Sequence, residues 1–277
     1  QGYSSAASDV YKRQTYNYAY RYFIEANGAY NGSEKFGPGY RFEVFPSVAL
    51  GWMVTEEKFM KNVKWLDKLK LKASYGKVGD DNFDGRWKYI TQWGTYDKYV
   101  EMNKFGYDNS RFSPYMLYKE ASIGNPDLHW ETSVKQNYGL ELAVLNNQIK
   151  FDFDYFTENR TGIMVTGGSR AIPSWFGIAA PDANLGEVDV KGYEMVLSGN
   201  RQLGDVFLNA RLTYSHVEDV VVFKDDPELK PDYQKAAGHA IGQTYALIQG
   251  DMIKNWDDVY MSTALADGQE SKRIGYY

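Results

Sequence analysis

An eleven-residue stretch, LDKLKLKASYG at residues 66–76, constrains the fold of this chain more than any other feature. Its apolar side chains fall on alternate positions, at Leu69, Leu71, Ala73 and Tyr75, and three lysines and a serine lie between them. A repeat of two residues places successive side chains on opposite faces of a β-strand. The stretch therefore predicts a strand with one apolar face and one charged face, and the question is what covers each face.

The same alternation recurs along the chain, with turn signals between the segments. Helical periodicity is nearly absent, although EEKFMKNVKWL at residues 56–66 predicts one short helical turn. The alternating segments are residues 20–32, 41–54, 67–78, 132–145, 148–159, 187–200 and 205–217. The pattern predicts an all-β, antiparallel fold of about eight strands, most of them about 10 to 14 residues long.

The connections between these segments alternate in length. Asn146-Asn147 predicts a tight hairpin, because asparagine tolerates positive φ, and residues 199–204 form another short link. Long connections cover about residues 80–128, 161–185 and 218 onward, and the link at 53–66 is of medium length. Short turns at one end of a sheet and long loops at the other are typical of an outer-membrane barrel.

Strands of this length can cross a bilayer at a tilt. We therefore interpret the sequence as a transmembrane β-barrel segment whose charged face lines a wet lumen and whose apolar face meets lipid. A large antiparallel sheet in a soluble sandwich or propeller is the alternative. The two are distinguished by whether the apolar face packs against a second sheet.

Composition narrows the class of protein further. Tyr, Trp and Phe make up 16% of the 277 residues, and rings with a polar tip favour membrane interfaces and sugar-binding surfaces. The mean hydropathy is −0.54, and no stretch approaches the length of an apolar membrane helix. Cysteine is absent, which excludes disulfides and thiol chemistry, and the net charge of −5 argues against a nucleic-acid binder.

The first fourteen residues, QGYSSAASDVYKRQ, differ from the rest of the chain. They lack both the alternation and the apolar region of a secretory signal. They resemble translated adapter sequence at the end of a gene fragment, and an ordinary loop is the alternative. We therefore expect residues 1–14 to be a non-native leader and residues 15–277 to form the β domain.

Two motifs resemble a known family. FPSVALGWMVTEEKFMKNVKWLDKLKLKASYGKVGDDNF at residues 45–83 closely resembles the barrel signature of the SusC/RagA family of TonB-dependent outer-membrane transporters. NPDLHWETSVKQNYGLEL at residues 125–142 resembles the entry of the next strand in that family. Asp80 and His129 stand where the family usually has Asn and Lys. FDYFTENRTGIM and NLGEVDVKGYEMVL continue the resemblance in the expected order.

The resemblance implies uptake without catalysis. Such receptors are barrels of about 22 strands with an N-terminal plug. They usually pair with a SusD-like surface lipoprotein, capture oligosaccharides or peptides, and are driven by TonB. The chain is then an internal barrel fragment in the outer membrane of a Bacteroidetes-type bacterium, without the plug domain and the TonB-contacting region. A soluble carbohydrate-binding β protein and a passive porin are the alternatives.

Aromatic loop residues are the candidates for substrate contact. Exposed rings can stack on sugar C–H surfaces, and their polar tips can bond hydroxyl groups. Rings at strand ends can equally form the interfacial girdle or hold long loops together. The candidates are Trp87, Tyr89, Trp93, Tyr96, Trp175 and Phe176.

Motifs for metal and catalytic sites are incomplete. Asp80, Asn82 and Asp84 match the opening of a calcium loop, but Thr91 stands where the twelfth position requires a bidentate Glu. An acidic external loop is the better interpretation. Asp152 and Asp154 share the charged face of one strand and are expected to line the lumen. The three histidines lack partners at zinc-ligand spacing, and no hydrolase or nucleotide-binding motif is present, so no cofactor is expected.

Overall fold

The computed structural model describes residues 9–96, 117–173, 177–244 and 254–257. The chain forms two compact units, Gln1–Ile241 and Gly242–Tyr277, and the strands described below belong to the first. None of the helices in the described ranges is long and apolar enough to cross a membrane. The strands are β1 Val10–Tyr18, β2 Tyr22–Gly32, β3 Phe42–Met53, β4 Leu66–Asp80, β5 Gln92–Tyr96, β6 Leu117–Ser122, β7 Glu131–Val144, β8 Ile149–Val165, β9 Ala183–Leu203 and β10 Val206–Phe223.

Eight of these strands form one antiparallel sheet in the order β1-β2-β3-β4-β7-β8-β9-β10. Strands β5 and β6 form a separate two-stranded ribbon within the connection between β4 and β7. The all-β, antiparallel prediction is confirmed. Val10–Gln14 of the expected leader belong to β1 and pair with β2.

The register brings the predicted apolar residues into continuous rows. Directly paired residues of antiparallel strands project to the same side of a sheet, so each row belongs to one face. One row is Leu71, Leu140, Phe153 and Met195, and its neighbour is Leu69, Leu142, Phe151 and Leu197. We call this side the apolar face. It is open: Leu71 is 41% exposed and Leu212 is 68% exposed.

The opposite side, the polar face, carries the charged residues. Its rows include Lys70, Glu141 and Asp152, and next to them Lys72, Gly139, Asp154 and Glu194. A concavity of ≈ 490 Å³ is lined mainly by this face. The predicted division into two faces is confirmed. The sandwich alternative is wrong, because within the described part of the chain no second sheet packs on the apolar face of the large sheet.

The two ends of the sheet differ as predicted. At one end, the short-turn end, the connections are residues 19–21, 54–65, 145–148 and 204–205. At the other, the long-loop end, they are residues 33–41, 81–130 and 166–182, and residues 224–241 follow β10 there. The medium link contains two short 3₁₀ helices, Val54–Glu56 and Lys58–Met60, where the sequence predicted a helical turn.

The turns at the short-turn end follow from their residues. Asn146 and Asn147 have φ of 56° and 59°, and the Gln148 N–H donates to the Leu145 carbonyl at 3.3 Å, closing the predicted hairpin. The second turn is shorter than predicted. Pairing continues to Leu203 and Val206, which leaves Gly204 and Asp205, with Gly204 at φ 60°. Glycine adopts this left-handed conformation without steric cost.

Four strands are longer than predicted. Strands β4, β8, β9 and β10 contain 15, 17, 21 and 18 residues, against the expected 10 to 14. Thr161 pairs with both Thr132 and Glu187, so the ladder extends into the stretch that was predicted to be loop. Polar side chains do not end a strand when the neighbouring strands supply backbone hydrogen bonds.

The aromatic core cluster lies at the long-loop end. It consists of Phe36, Phe45, Phe83, Leu128 and Trp130, with Phe36 fully buried. The Trp130 indole N–H donates to the Arg41 carbonyl at 3.3 Å. The cluster joins residues from two long loops to the end of β3, so apolar burial holds these loops against the sheet.

Candidate functional site

The carboxylate of Asp182 joins two long loops at the long-loop end. It accepts a hydrogen bond from Lys88 Nζ at 2.7 Å and from the Gly167 N–H at 2.8 Å. Its own carbonyl accepts from Asn125 Nδ2 at 2.9 Å. Residues 81–130 and 166–182 are therefore held together, and a cleft of ≈ 460 Å³ lies between them.

Asp225 makes a similar connection one loop further along. Its carboxylate lies 3.3 Å from Arg170 Nε and accepts from the Ala171 N–H at 3.3 Å. The Arg170 Nη1 donates to the Pro181 carbonyl at 3.0 Å. Asp182 and Asp225 thus link three long loops in series. No sequence motif marks either residue, because each contact depends on residues far apart in the chain.

The predicted aromatic contacts have different environments. Trp87 and Trp93 are open to solvent, 57% and 65% exposed. Tyr89 is half-buried, and its hydroxyl lies 3.5 Å from Arg41 Nη2, so this ring helps to hold the loop at residues 33–41. The backbone of Tyr96 lies in β5, paired with Leu117.

Trp175 and Phe176 lie outside the described residues. Substrate contact by any of the six aromatic candidates remains a prediction.

The residues of the predicted calcium loop make other contacts. Asp80 Oδ1 accepts from the Asn82 N–H at 2.8 Å, and Asp84 is exposed. Asp81 Oδ2 accepts from the Ser33 hydroxyl at 2.6 Å. Within the described ranges, no group of three or more His, Asp or Glu side chains is arranged to hold a metal ion. Calcium binding by Asp80, Asn82 and Asp84 remains a prediction.

A second cleft of the long-loop end surrounds His129. It has a volume of ≈ 420 Å³ and is lined in part by Tyr40, Lys77 and Asp127. His129 Nδ1 lies 2.9 Å from the Asp127 carbonyl, and its ring lies 5.9 Å from the Tyr40 ring. The imidazole is thus held by its own loop and by one tyrosine.

A charge network runs along the polar face below these loops. Glu141 bonds Lys68 Nζ at 2.5 Å and Lys72 Nζ at 3.1 Å, and Lys72 also lies 3.5 Å from Asp154. Lys72 and Asp154 are the two cross-strand partners of Gly139. Since Gly139 has no side chain, the Lys72–Asp154 pair can pass over the strand between them. The sequence predicted these charges on one face but not their pairing.

Glu57 at the short-turn end is the centre of a smaller network. It accepts from the Tyr22 hydroxyl at 2.5 Å and from Trp52 Nε1 at 3.2 Å, and Arg21 lies 3.7 Å away. The hydrogen bond from Tyr22 is the largest cause that holds the pKa of Glu57 below its ordinary value, with smaller contributions from Trp52 and the charge of Arg21. Glu57 thus fixes the medium link against β2 and β3.

Known proteins share both the sequence pattern and this architecture. The family model for the TonB dependent receptor-like β-barrel matches residues 2–261. The chain belongs to this family. The resemblance to SusC/RagA transporters predicted from the sequence is confirmed, and the eight-stranded sheet is part of a receptor barrel.

Relatives match over most of this chain but over a minor part of their own length. TonB-dependent receptor P39 of Formosa agariphila is 27% identical over 243 residues, which cover 87% of this chain and 22% of the relative. TonB-dependent receptor SusC of Bacteroides thetaiotaomicron is 27% identical over 235 residues, covering 83% of this chain and 22% of the relative. The chain thus spans about a fifth of these receptors.

Solved structures share the fold. The RagAB peptide importer in its closed-closed state superposes with a TM-score of 0.65 at 20% identity, covering 78% of this chain and 22% of that one. The open-open state gives a TM-score of 0.61 at 22% identity, with 76% and 22% covered. These structures support the barrel architecture.

Proposed function

We propose that this chain is part of the barrel of an outer-membrane receptor that imports oligosaccharides or peptides. The observation that carries the proposal is one sheet with an open apolar face, a charged polar face, and its long loops at one end. In a receptor barrel the apolar face meets lipid and the polar face lines the lumen. The relatives from Formosa and Bacteroides support a Bacteroidetes-type outer membrane.

The proposal explains both faces physically. Residues such as Leu71, Leu197 and Leu212 are exposed here, and a contiguous apolar surface of this extent requires lipid or another protein to cover it. The Lys68–Glu141–Lys72–Asp154 network stays partly exposed on the other face, which suits a wet lumen. A soluble carbohydrate-binding protein would leave the apolar face in water.

The partners belong to the proposal as well. A SusD-like lipoprotein would cover the long-loop end, where Asp182 and Asp225 hold the loops in a defined arrangement. TonB would act through a region N-terminal to the barrel. The structurally similar RagAB complex is a peptide importer, and the resemblance of the sequence motifs to the SusC/RagA family implies oligosaccharides as well, so both substrate classes are retained.

The leader is a separate proposal. Residues 1–14 lack the alternating pattern of the other strands, and we propose that they are foreign to the natural protein, with Val10–Gln14 extending the edge of the sheet by pairing with β2. Amplifying the gene from genomic DNA across this junction tests the point. The proposal is abandoned if the genomic sequence encodes the same fourteen residues in frame.

Growth of a deletion strain tests the function. The full-length gene is removed from its host, and growth is measured on a panel of single glycans and on peptide digests. We expect slow growth on at least one glycan or peptide source, restored by the full-length gene but not by a copy in a strain without TonB. Normal growth of the deletion strain on every source that the parent uses would refute the proposal.

A further inference from the structure

The β5–β6 ribbon has two unlike faces. Trp93 pairs with Glu120, and Thr95 pairs with Tyr118. Because side chains alternate along a strand, Trp93, Glu120 and Tyr118 project from the same face. Gly94 and Ala121 lie on the other face, where a Cβ at Gly94 would approach the Ala121 Cβ to 3.2 Å. Trp93, Tyr118 and Glu120 thus share one side of the ribbon, the ring-bearing face, and Gly94, Lys119 and Ala121 lie on the other.

The face that carries Gly94, Lys119 and Ala121 is turned to the rest of the long-loop end. Ala121 lines the cleft opposite Gly167 and Ala180, close to the Lys88–Asp182 ion pair. The ring-bearing face therefore points away from that cleft. A bulge between Gln92 and Trp93 interrupts the register at the start of the ribbon.

Both rings of the ring-bearing face are open to solvent. Trp93 is 65% exposed and Tyr118 is 66% exposed, and neither stacks on another ring among the described residues. An aromatic ring left in water adds little to stability, whereas neighbouring exposed rings form an apolar patch. These two positions thus have no packing role in the described part of the chain, although they lie on a ribbon with a defined register.

We infer that the β5–β6 ribbon is a stacking platform for a neutral oligosaccharide. This inference rests on the proposed function and selects one of its two substrate classes. Trp93 and Tyr118 are diagonal neighbours across the ribbon, with Cβ atoms roughly 7 Å apart, comparable to the length of one sugar unit. Two adjacent sugar rings can each place a C–H face on one aromatic ring, and the Glu120 carboxylate beside them accepts hydroxyl hydrogen bonds.

The chemistry of the platform favours a sugar over other ligands. A phosphorylated or acidic ligand would meet the charge of Glu120, and the described residues of the ribbon place no cation on that face. A peptide in extended form is recognised through backbone pairing along a strand edge, with pockets for its side chains. Among its described side chains, the ring-bearing face instead offers two flat surfaces and one carboxylate acceptor. This is the arrangement that an oligosaccharide of alternating C–H faces and hydroxyl groups matches.

The test uses the full-length receptor purified in detergent. It is applied to an array of neutral oligosaccharides from starch, cellulose, xylan, mannan, laminarin and fructan, and titrated with the array's strongest binder and with a tryptic digest of casein. We expect Trp93→Ala and Tyr118→Ala each to weaken sugar association about tenfold. Trp93→Phe should keep most of the affinity because it keeps a ring face. Trp65→Ala is the matched control, since Trp65 is 62% exposed at the opposite end of the sheet.

Each result decides the inference. The inference is overturned if the receptor binds no oligosaccharide on the array, or if the alanine variants bind sugar as the unmodified receptor does. It is also overturned if casein peptides are the only probe that binds. Heat-dependent gel mobility of each variant verifies that its barrel is folded. If the deletion strain loses growth on a source and the Trp93→Ala/Tyr118→Ala receptor restores it fully, the inference fails while the proposed function stands. If the deletion strain grows normally, the proposed function fails first.

Discussion

Replacing Gly139 by alanine tests the charge network of the polar face most directly. A Cβ at position 139 would overlap Asp154 Oδ1 and lie 2.6 Å from Lys72 Cε, because the ion pair between these side chains passes over the glycine. Both atoms belong to flexible side chains, so we expect the side chains to separate and the backbone to stay in place. The variant then loses the Lys72–Asp154 contact and keeps the Lys72–Glu141 contact.

The magnitude follows from opposing contributions. A partly exposed ion pair contributes about 0.2–1 kcal/mol, and crowding of a filled site costs about 1 kcal/mol. Replacing glycine by alanine stabilises the folded state by about 0.5–1 kcal/mol, because alanine loses less backbone entropy on folding. Gly28→Ala is the matched control because a Cβ there meets nothing within 4 Å. We expect Gly28→Ala to stabilise the barrel and Gly139→Ala to be less stable than it by about 1–2 kcal/mol.

The assay is urea unfolding of the full-length receptor in lipid vesicles. A second pair of variants, made in an Asp154→Ala background, removes one side of the crowded pair. The difference between Gly139→Ala and Gly28→Ala should shrink by about half in that background, since coupled residues are non-additive. Equal stabilisation by both glycine substitutions would show that the Lys72–Asp154 pair does not pass over Gly139, and would refute the reasoning.

Three further predictions address the apolar face, the short-turn end and the loops. Leu71→Arg should cost about 2–4 kcal/mol of folding stability in vesicles, whereas Lys70→Arg, on the polar face, should be close to neutral; equal costs would leave the lipid-facing assignment unsupported. Glu57→Gln should lower the unfolding temperature at neutral pH. Because the folded-state pKa of Glu57 is lowered, its contribution is complete above the ordinary value of 4.5 and fades as pH falls through the folded-state value, so a deficit that persists in strong acid would contradict the assignment. Asp182→Ala should speed amide exchange in both loops that it joins, while Asp84→Ala, at an exposed carboxylate, should not; unchanged exchange in Asp182→Ala would argue against the link.

Charged positions of the polar face do not all tolerate arginine. The alternation alone predicts that arginine at any of them is close to neutral, because water already solvates that face. Glu141 is an exception, because its carboxylate bonds both Lys68 and Lys72. Arginine there would place three cations together on adjacent strands, so Lys70 is the suitable control for the lumen side.

Local chemistry determined the framework of this protein. The alternation in LDKLKLKASYG and in the other alternating segments predicts that Leu71, Leu140 and Phe153 lie on apolar strand faces. In the sheet, Leu140 pairs directly with both Leu71 and Phe153. The hairpin at Asn146-Asn147 also follows from its own residues, which tolerate positive φ. These properties depend on residues within one strand or one turn, where the backbone period and the allowed dihedral angles apply without reference to the rest of the chain.

Only the tertiary structure decided which loop residues are structural and which are open. Tyr89 and Trp93 look alike in the sequence, yet Tyr89 packs against another loop and Trp93 faces solvent. Tyr118 and Trp93 lie on one face of the ribbon although 24 residues separate them in the chain. Asp182 bonds Lys88 although 93 residues separate them. These contacts form only after strand pairing has brought distant loops to the same end of the sheet. The local sequence around each residue therefore does not indicate which residue it will contact.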